Sequence, residues 1–434
     1  MKAMRDVYMV AGGVSKFDKA RHDVTFQAMV KEAFDYACHD RFLKRPIRVE
    51  DIDGSVASYF SDHFMRQLKA GAMVQDYLGL CPKPSHRVEG GGATGGLAFQ
   101  EGWKAIASGY MDACVVYGWE TMSHVETWKG NEFIALASDV SFDYPVGGFY
   151  TGYYAMMVVR HMKEFGTTAE QLAHVSVKNY RNAFHNPYAQ KHEKLTIQDV
   201  RNSPMVAWPL TRRDICVMSD GAAVAVLCDE KAARTFTDRP VRITGIGRGT
   251  DAMRMADRPH EKVILLPWED EKDYKHLKYP GVHSFRAGRA ASKQAYEMAG
   301  IADARKDLDF IELHDAYSSS ELQTYEDMGL CQYGEGGRWL QAGNPFMPRV
   351  EYGLDLPRKG TLPVNPSGGL IACGHPVGAT GLMQAVFALW QLQERIGDHF
   401  GDTTLQVRSP QRGAIHSHAG TGTYVTVSIL ERAW

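Results

Sequence analysis

The tetrapeptide Gly-Ala-Thr-Gly occurs twice, at 92–95 and at 378–381, each time where a glycine-rich turn passes into an apolar helix. Around the first copy the chain reads VEGGGATGG (Val88–Gly96), and a helix is expected from Ala93 to about Ser108, followed by a strand at Ala113–Gly118. Around the second it reads NPSGGLIACGHPVGATG (Asn365–Gly381), a strand-like approach, a turn with five glycines in seventeen residues, and a helix from about Ala379 to Leu392. A chain that repeats strand, glycine turn and helix in this order is expected to be internally duplicated. Two βαβ-rich halves then point to a layered α/β architecture. Chance repetition among 42 glycines is the alternative.

Hydrophobic periodicity supplies further elements. Val7–Ala11 reads as a buried strand and Thr25–His39 as a helix, with a strand at Ile52–Val56 and a helix over Phe64–Leu78. Residues 122–209 are aromatic, polar and irregular, with helices expected near Tyr153–Phe165 and Ala169–Ala183, the second opened by a Thr-Thr-Ala-Glu cap. So long an excursion is expected to cover a site, although a surface helical hairpin would read the same way. Asp214–Cys228 turns at Ser219-Asp220-Gly221 into an apolar strand that ends a first half (1–240), with Arg234–Pro240 as linker to a second half (241–434). There a strand is expected at Val241–Ile246, unassigned loop or edge over Gly247–His283, and a helix at Ala287–Ala299. A strand at Leu308–Leu313, a helix at Ser319–Met328 and strands near Gly413–His416 and Tyr424–Leu430 complete the half.

Composition matters here for what it excludes. A formal net charge of −2 gives no reason to expect nucleic acid or an anionic membrane surface as partner. The seven cysteines (38, 81, 114, 216, 228, 331, 373) are scattered without a CxxC pair, which argues against a disulfide framework and a metal site. No apolar run approaches the ~20 residues of a membrane span, and the N-terminal run is too short for a signal peptide. A cytoplasmic enzyme is the expectation.

The GHP turn, Gly374-His375-Pro376, sits just before a helix start, where free N–H groups favour developing negative charge. Together with HDAY at His314–Tyr317, HSHAGTG at His416–Gly422, the VEGGGATGG turn and GGFYTGYYAMM…GTTAEQLAHVSVKN in the excursion, it resembles the thiolase superfamily, in particular the sterol-carrier and lipid-transfer branch. The resemblance covers nearly the whole chain and implies the five-layer α/β/α/β/α thiolase fold, at least a homodimer, and an acyl-CoA thioester as substrate with no covalently bound cofactor. It places coenzyme A against the covering loop, at Tyr150, Tyr153, Ser219 and Gly221.

Two family residues are missing by the same resemblance. The nucleophilic cysteine falls on Gly92, and the C-terminal Cys-x-Gly site falls on His416-Ser417-His418. Without a thiolate there is no covalent acyl intermediate; Cys373, two residues from His375, is the one cysteine that suggests a rescue. What the resemblance leaves intact is an oxyanion site from His314 and His375, with the Gly92 and Gly420 backbone as second donors. Such a site suits aldol or retro-aldol chemistry on a β-hydroxyacyl-CoA, with Tyr317 and His416 as acid/base candidates and Asp315 orienting a histidine. Loss of the cysteine side chain is expected to widen the pocket. Thiolase-like aldolases are similar in lacking the nucleophile and work with a small OB-fold and zinc-ribbon partner. Open alternatives are Claisen-type acyl transfer and a non-catalytic acyl-CoA or lipid binder. His314 as a core histidine and Tyr317 as a packing residue also remain open.

Overall fold

The computed structural model describes residues 4–259, 261–275, 277 and 284–434. Its strands are β1 (Tyr8–Val14), β2 (Gly54–Ser58), β3 (Ser85–Val88), β4 (Ala113–Thr121), β5 (Met205–Ala207), β6 (Leu210–Thr211), β7 (Asp220–Cys228), β8 (Val241–Thr250), β9 (Phe310–Glu312), β10 (Arg412–Ala419) and β11 (Tyr424–Arg432). Nine of them form one mixed sheet in the order β3-β2-β4-β7-β1-β8-β11-β10-β9, and β5–β6 is a separate hairpin. The two halves join at a short seam, where Tyr8 and Met9 pair with Arg242 and Val241.

The helices that follow the two GATG turns, α2 (Thr94–Ala107) and α8 (Val377–Leu392), touch each other and strands of both halves. Strands β2 and β10 lie six positions apart in the sheet order, about 29 Å at the usual interstrand spacing, too far for one helix to reach across a flat sheet. The sheet therefore folds over at the seam and clasps α2 and α8 between its halves. Helix α1 (Phe26–Cys38) covers the outer face of the first half and α6 (Arg286–Ala299) that of the second, which completes five layers. α3 (Thr127–Ala135), α4 (Tyr150–Phe165) and α5 (Ala169–Ala183) belong to the covering excursion, and α7 (Ser318–Asp327) follows the HDAY segment.

The repeated tetrapeptide has a packing reason. Its last glycines, Gly95 and Gly381, meet where α2 crosses α8; a Cβ on Gly95 would lie 2.6 Å from the Gly381 nitrogen. Contact that close between two backbones excludes any side chain.

Four expectations need correction. The Phe64–Leu78 helix is two pieces, Asp62–Met65 and Ala70–Tyr77, broken where Arg66 and Lys69 take positive φ. Part of Gly247–His283 lies outside the described residues, but its start is strand: β8 runs to Thr250, and Gly245, Gly247 and Gly249 let α6 lie directly on the sheet. Glycine in a strand reads as a breaker unless the helix that needs it is known. The segment read as linker begins inside the helix Glu230–Phe236. The approach to the GHP turn is a π-helical turn, Gly369–Cys373, rather than a strand.

Candidate active site

Three loops and one strand end converge on a pocket of about 830 Å³ counted to its open mouth. The turn before α2 brings Gly91 and Gly92, the segment before α7 brings His314, Ala316 and Tyr317, the GHP turn brings His375, and the end of β10 brings His418 and Gly420. The covering excursion closes it with Tyr150, Thr151 and Tyr154 from the first turns of α4 and with Asn131 and Ile134 from α3.

Each histidine is held by a different means. The His375 backbone N–H donates to the Val217 carbonyl (3.2 Å) and Ser219 Oγ (3.0 Å). Its Nδ1 meets Thr380 Oγ1 at 2.7 Å, one turn into α8, leaving Nε2 without a partner among the described residues. The His314 ring lies edge-on to His375 (centroids 5.0 Å) and against His418 (4.2 Å). The His314 backbone N–H donates to His416 Nδ1 at 3.4 Å, so His416 sits behind the pocket as a support. Tyr154 donates its hydroxyl to the Gly420 carbonyl and meets His418 Nε2 at 2.6 Å. A carbonyl cannot donate, so His418 carries its proton on Nε2, and its Nδ1 is buried without a partner among the described residues, as is that of His314.

Burial removes charge from the cluster. It pushes His375 down to about 4 and His416 to about 3, and it holds His314 and His418 well below 6.5, each disfavoured further by neighbouring histidines. All four are neutral at pH 7. The linkage sign follows: these groups bind protons more readily unfolded than folded, so their stabilisation is complete above about pH 6.5 and falls as pH drops toward 4. Thermal unfolding midpoints should fall steeply between pH 6.5 and 4, and His416→Gln should flatten that slope. An unchanged slope in the variant would show that His416 does not contribute to it.

Two further groups complete the geometry. Tyr317 stacks on Tyr154 (centroids 4.1 Å) and shares a hydrogen bond with Thr151 Oγ1 at 3.1 Å. Neither the Gly92 nor the Gly420 N–H finds an acceptor among the described residues, so both are available at the end where the histidines meet.

A model of the thiolase N-terminal domain matches residues 7–203, and a thiolase C-terminal domain-like model matches 270–432. An acetyl-CoA acetyltransferase of Methanothermobacter thermautotrophicus is 36% identical over 430 residues, 99% of this chain and 100% of that one. The chain belongs to the thiolase superfamily. Human sterol carrier protein 2 is 29% identical over 91% of this chain and 67% of its own length, on the side of the lipid-transfer branch. Among solved structures, the Ltp2-ChsH2(DUF35) aldolase superposes with a TM-score of 0.76 at 21% identity, covering 99% of both chains, which shows the shared thiolase fold.

Against this geometry the expected thiolase residues separate. His314, His375, Tyr317, Gly92, Gly420 and Tyr150 line one pocket. His416 does not; the strand continues to Ala419, alternation puts His416 and His418 on one face, and the second reaches the pocket. Asp315 orients no histidine: it accepts from the Leu370 N–H (2.6 Å) and Asn179 Nδ2 (2.6 Å), pinning the π-helical turn to the HDAY segment. Cys373 is fully buried, beside Met383 Sδ and Asn186 Nδ2 at 3.6 Å each, and burial raises its thiol well above 9, which removes it as a rescue nucleophile. Ser219 is fully buried under the His375 backbone, and Gly221 makes room for Phe17 and Pro376, so neither can touch coenzyme A. Tyr153 lines a separate small cleft with Ser138 and Asp143.

Thr151, Tyr154, Cys216 and His418 are pocket residues the sequence reading missed. Tyr150 and Tyr154 are four apart on α4, a spacing that puts both on one face. Cys216 carries no such signal, since the pairings of Ile215 with Tyr317 and of Met218 with His375 bring it to the wall.

Proposed function

We propose that this chain makes or breaks a carbon–carbon bond beside an acyl-CoA thioester through a stabilised enolate, without a cysteine-bound acyl group, in the form of aldol or retro-aldol cleavage of a β-hydroxyacyl-CoA. The observation that carries the reading is Gly92. It stands where the superfamily holds its nucleophile, and it has no room for one: a Cβ there would lie 2.6 Å from the His418 carbonyl oxygen and 3.2 Å from His314 Cε1. The expected widening of the pocket is thus corrected; the His418 backbone and the His314 ring have closed over the position.

In this reading the thioester oxygen is held at the His314–His375 end, and the second oxygen, on the carbon that becomes an aldehyde or ketone, lies near the Gly92 and Gly420 N–H groups. A neutral histidine there can donate one hydrogen bond to an enolate and retain a basic nitrogen. Thr380 Oγ1 donates to the Pro376 carbonyl, so the His375 proton is on Nδ1 and its bare Nε2 accepts the hydroxyl proton as the Cα–Cβ bond breaks, after which the enolate carbon is protonated. Burial raises the phenols of Tyr154 and Tyr317 above 10, so each enters the reaction as a neutral O–H donor. The reading carries with it a homodimer and a small partner of OB-fold and zinc-ribbon type, which size-exclusion chromatography with and without such a partner would check.

Claisen-type acyl transfer is the second reading, favoured by the acetyltransferase relative and by Cys216 in the pocket wall. Burial pushes the Cys216 thiol up to about 12, which leaves little thiolate at neutral pH. Product analysis by mass spectrometry separates the two. A shorter acyl-CoA plus an aldehyde or ketone, formed from a β-hydroxyacyl-CoA without free CoA, supports the aldol reading. Cleavage of β-ketoacyl-CoA only with free CoA, with an acyl adduct on intact protein, overturns it.

Gly92→Cys should not restore a thiolase. The added side chain must displace the His418 backbone, at about 1–3 kcal/mol of stability as overpacking usually costs. Stability measured by denaturant should fall, with no acyl adduct on intact protein. An adduct at full stability would show that the turn tolerates a nucleophile.

A further inference from the structure

The pocket has a chemical asymmetry that the reaction does not require. One part of the lining is His314, His375 and His418 with the N–H groups of Gly92 and Gly420; another is apolar, made of Phe60, Ile134, Ala137, Met218 and Val377, and it begins beside the first, since Met218 bridges His375. That second wall is the exposed side of a small hydrophobic cluster, separate from the main core, in which Phe60, Phe64, Met122 and Val377 are capped by Ile134, Ala137 and Met218. Among the described residues lining the pocket there is no lysine, arginine, aspartate or glutamate. The histidines do not supply a cation either, since burial holds them neutral at pH 7.

Resting on the acyl-CoA reading, we infer that the pocket selects an uncharged, apolar acyl group and rejects acyl groups ending in a carboxylate. The apolar wall gains from burying hydrocarbon. A carboxylate brought against it loses its water with no cation to replace it, and an uncompensated buried charge is strongly unfavourable. The donors that do line the pocket, the Gly92 and Gly420 N–H groups and the Asn131 amide, are neutral and cannot offset a full charge. The exposed covering helix α3 sets this preference through Ile134, so the wall can change without touching the histidine cluster.

The test uses unreactive CoA thioethers, so its result does not depend on which reaction the enzyme performs. Calorimetric titration of the full chain would compare S-(3-phenylpropyl)-CoA with S-(4-carboxybutyl)-CoA, with CoA itself as reference. The phenylpropyl thioether should bind at least fiftyfold more tightly than the carboxybutyl one at pH 7. Ile134→Lys, a half-buried position on α3, should narrow that ratio at least tenfold by strengthening the carboxybutyl ligand. Equal affinities in the wild type, or an unchanged ratio in a folded Ile134→Lys variant, would overturn the inference while leaving the acyl-CoA reading in place. Failure of all three ligands, CoA included, would overturn both.

Discussion

His375→Ala should lower turnover by about 10²–10³ while leaving CoA affinity within a few fold. That is the usual effect of deleting one acid/base group, and His375 is built for such a role, since Thr380 Oγ1 donates to the Pro376 carbonyl and so holds the ring proton on Nδ1, leaving Nε2 bare. Its backbone is tied to Val217 and Ser219, its Nδ1 to Thr380, and only Nε2 remains for a ligand. Burial keeps the ring neutral, so the interaction removed is a hydrogen bond in a water-poor site rather than a surface charge. A binding protein would respond differently, since its ligand contacts lie mostly along the apolar wall and covering helices. Turnover reduced less than fivefold, or a loss confined to KM, would remove His375 from the chemistry and revive the acyl-CoA binder. Thr380→Val is the companion variant; it frees the ring to rotate and should reduce kcat with KM little changed.

Lys178→Met should cost about 3–5 kcal/mol of stability, the usual penalty for removing one partner of a buried ion pair. Lys178 is fully buried on α5, with Nζ 2.9 Å from Glu321 Oε1 and 2.8 Å from the Val364 carbonyl. Glu321 on α7 also accepts from Asn179 Nδ2 (2.7 Å) and Asn365 Nδ2 (2.9 Å), and Asn179 bridges on to Asp315, whose carboxyl is held well above its ordinary range by burial and by the Glu321 charge. One cation thus serves a buried acidic pair that fastens the covering helix to the HDAY segment and to the turn before His375. Lys178→Met/Glu321→Met should recover part of the loss, because an apolar pair replaces an unpaired charge. A single variant as stable as the wild type, by denaturant unfolding, would show that this network is dispensable.

The sequence by itself determined a great deal here. Periodicity placed α5 at Ala169–Ala183, and its cap is formed one residue on from the box that Thr-Thr-Ala-Glu suggests, Thr168 and Gln171 bonding each other's backbone. The GATG repeat pointed to two related helices. Local signals of this kind survive because the preference of a capped amphipathic segment is settled within a few residues. The loss of the nucleophile was also legible, since glycine lacks the atom whatever surrounds it.

Tertiary structure decided what those residues are near. His416 and His418 differ only in how far β10 runs, which depends on its pairing with β11 up to Ala419–Tyr424. Asp315, Ser219 and Cys373 are chemically fit for a pocket, yet the fold turns them to the π-helical turn, the His375 backbone and the Met383 sulfur. Cys216 reached the pocket through two bridges, Ile215 with Tyr317 and Met218 with His375, between residues a hundred or more apart in the chain. Whether the missing cysteine leaves a space or a closed turn depended on one carbonyl, that of His418, donated by the other half of the molecule. Side-chain chemistry is written residue by residue, whereas access, partner and protonation are set by contacts between segments distant in sequence, which only the folded chain brings together.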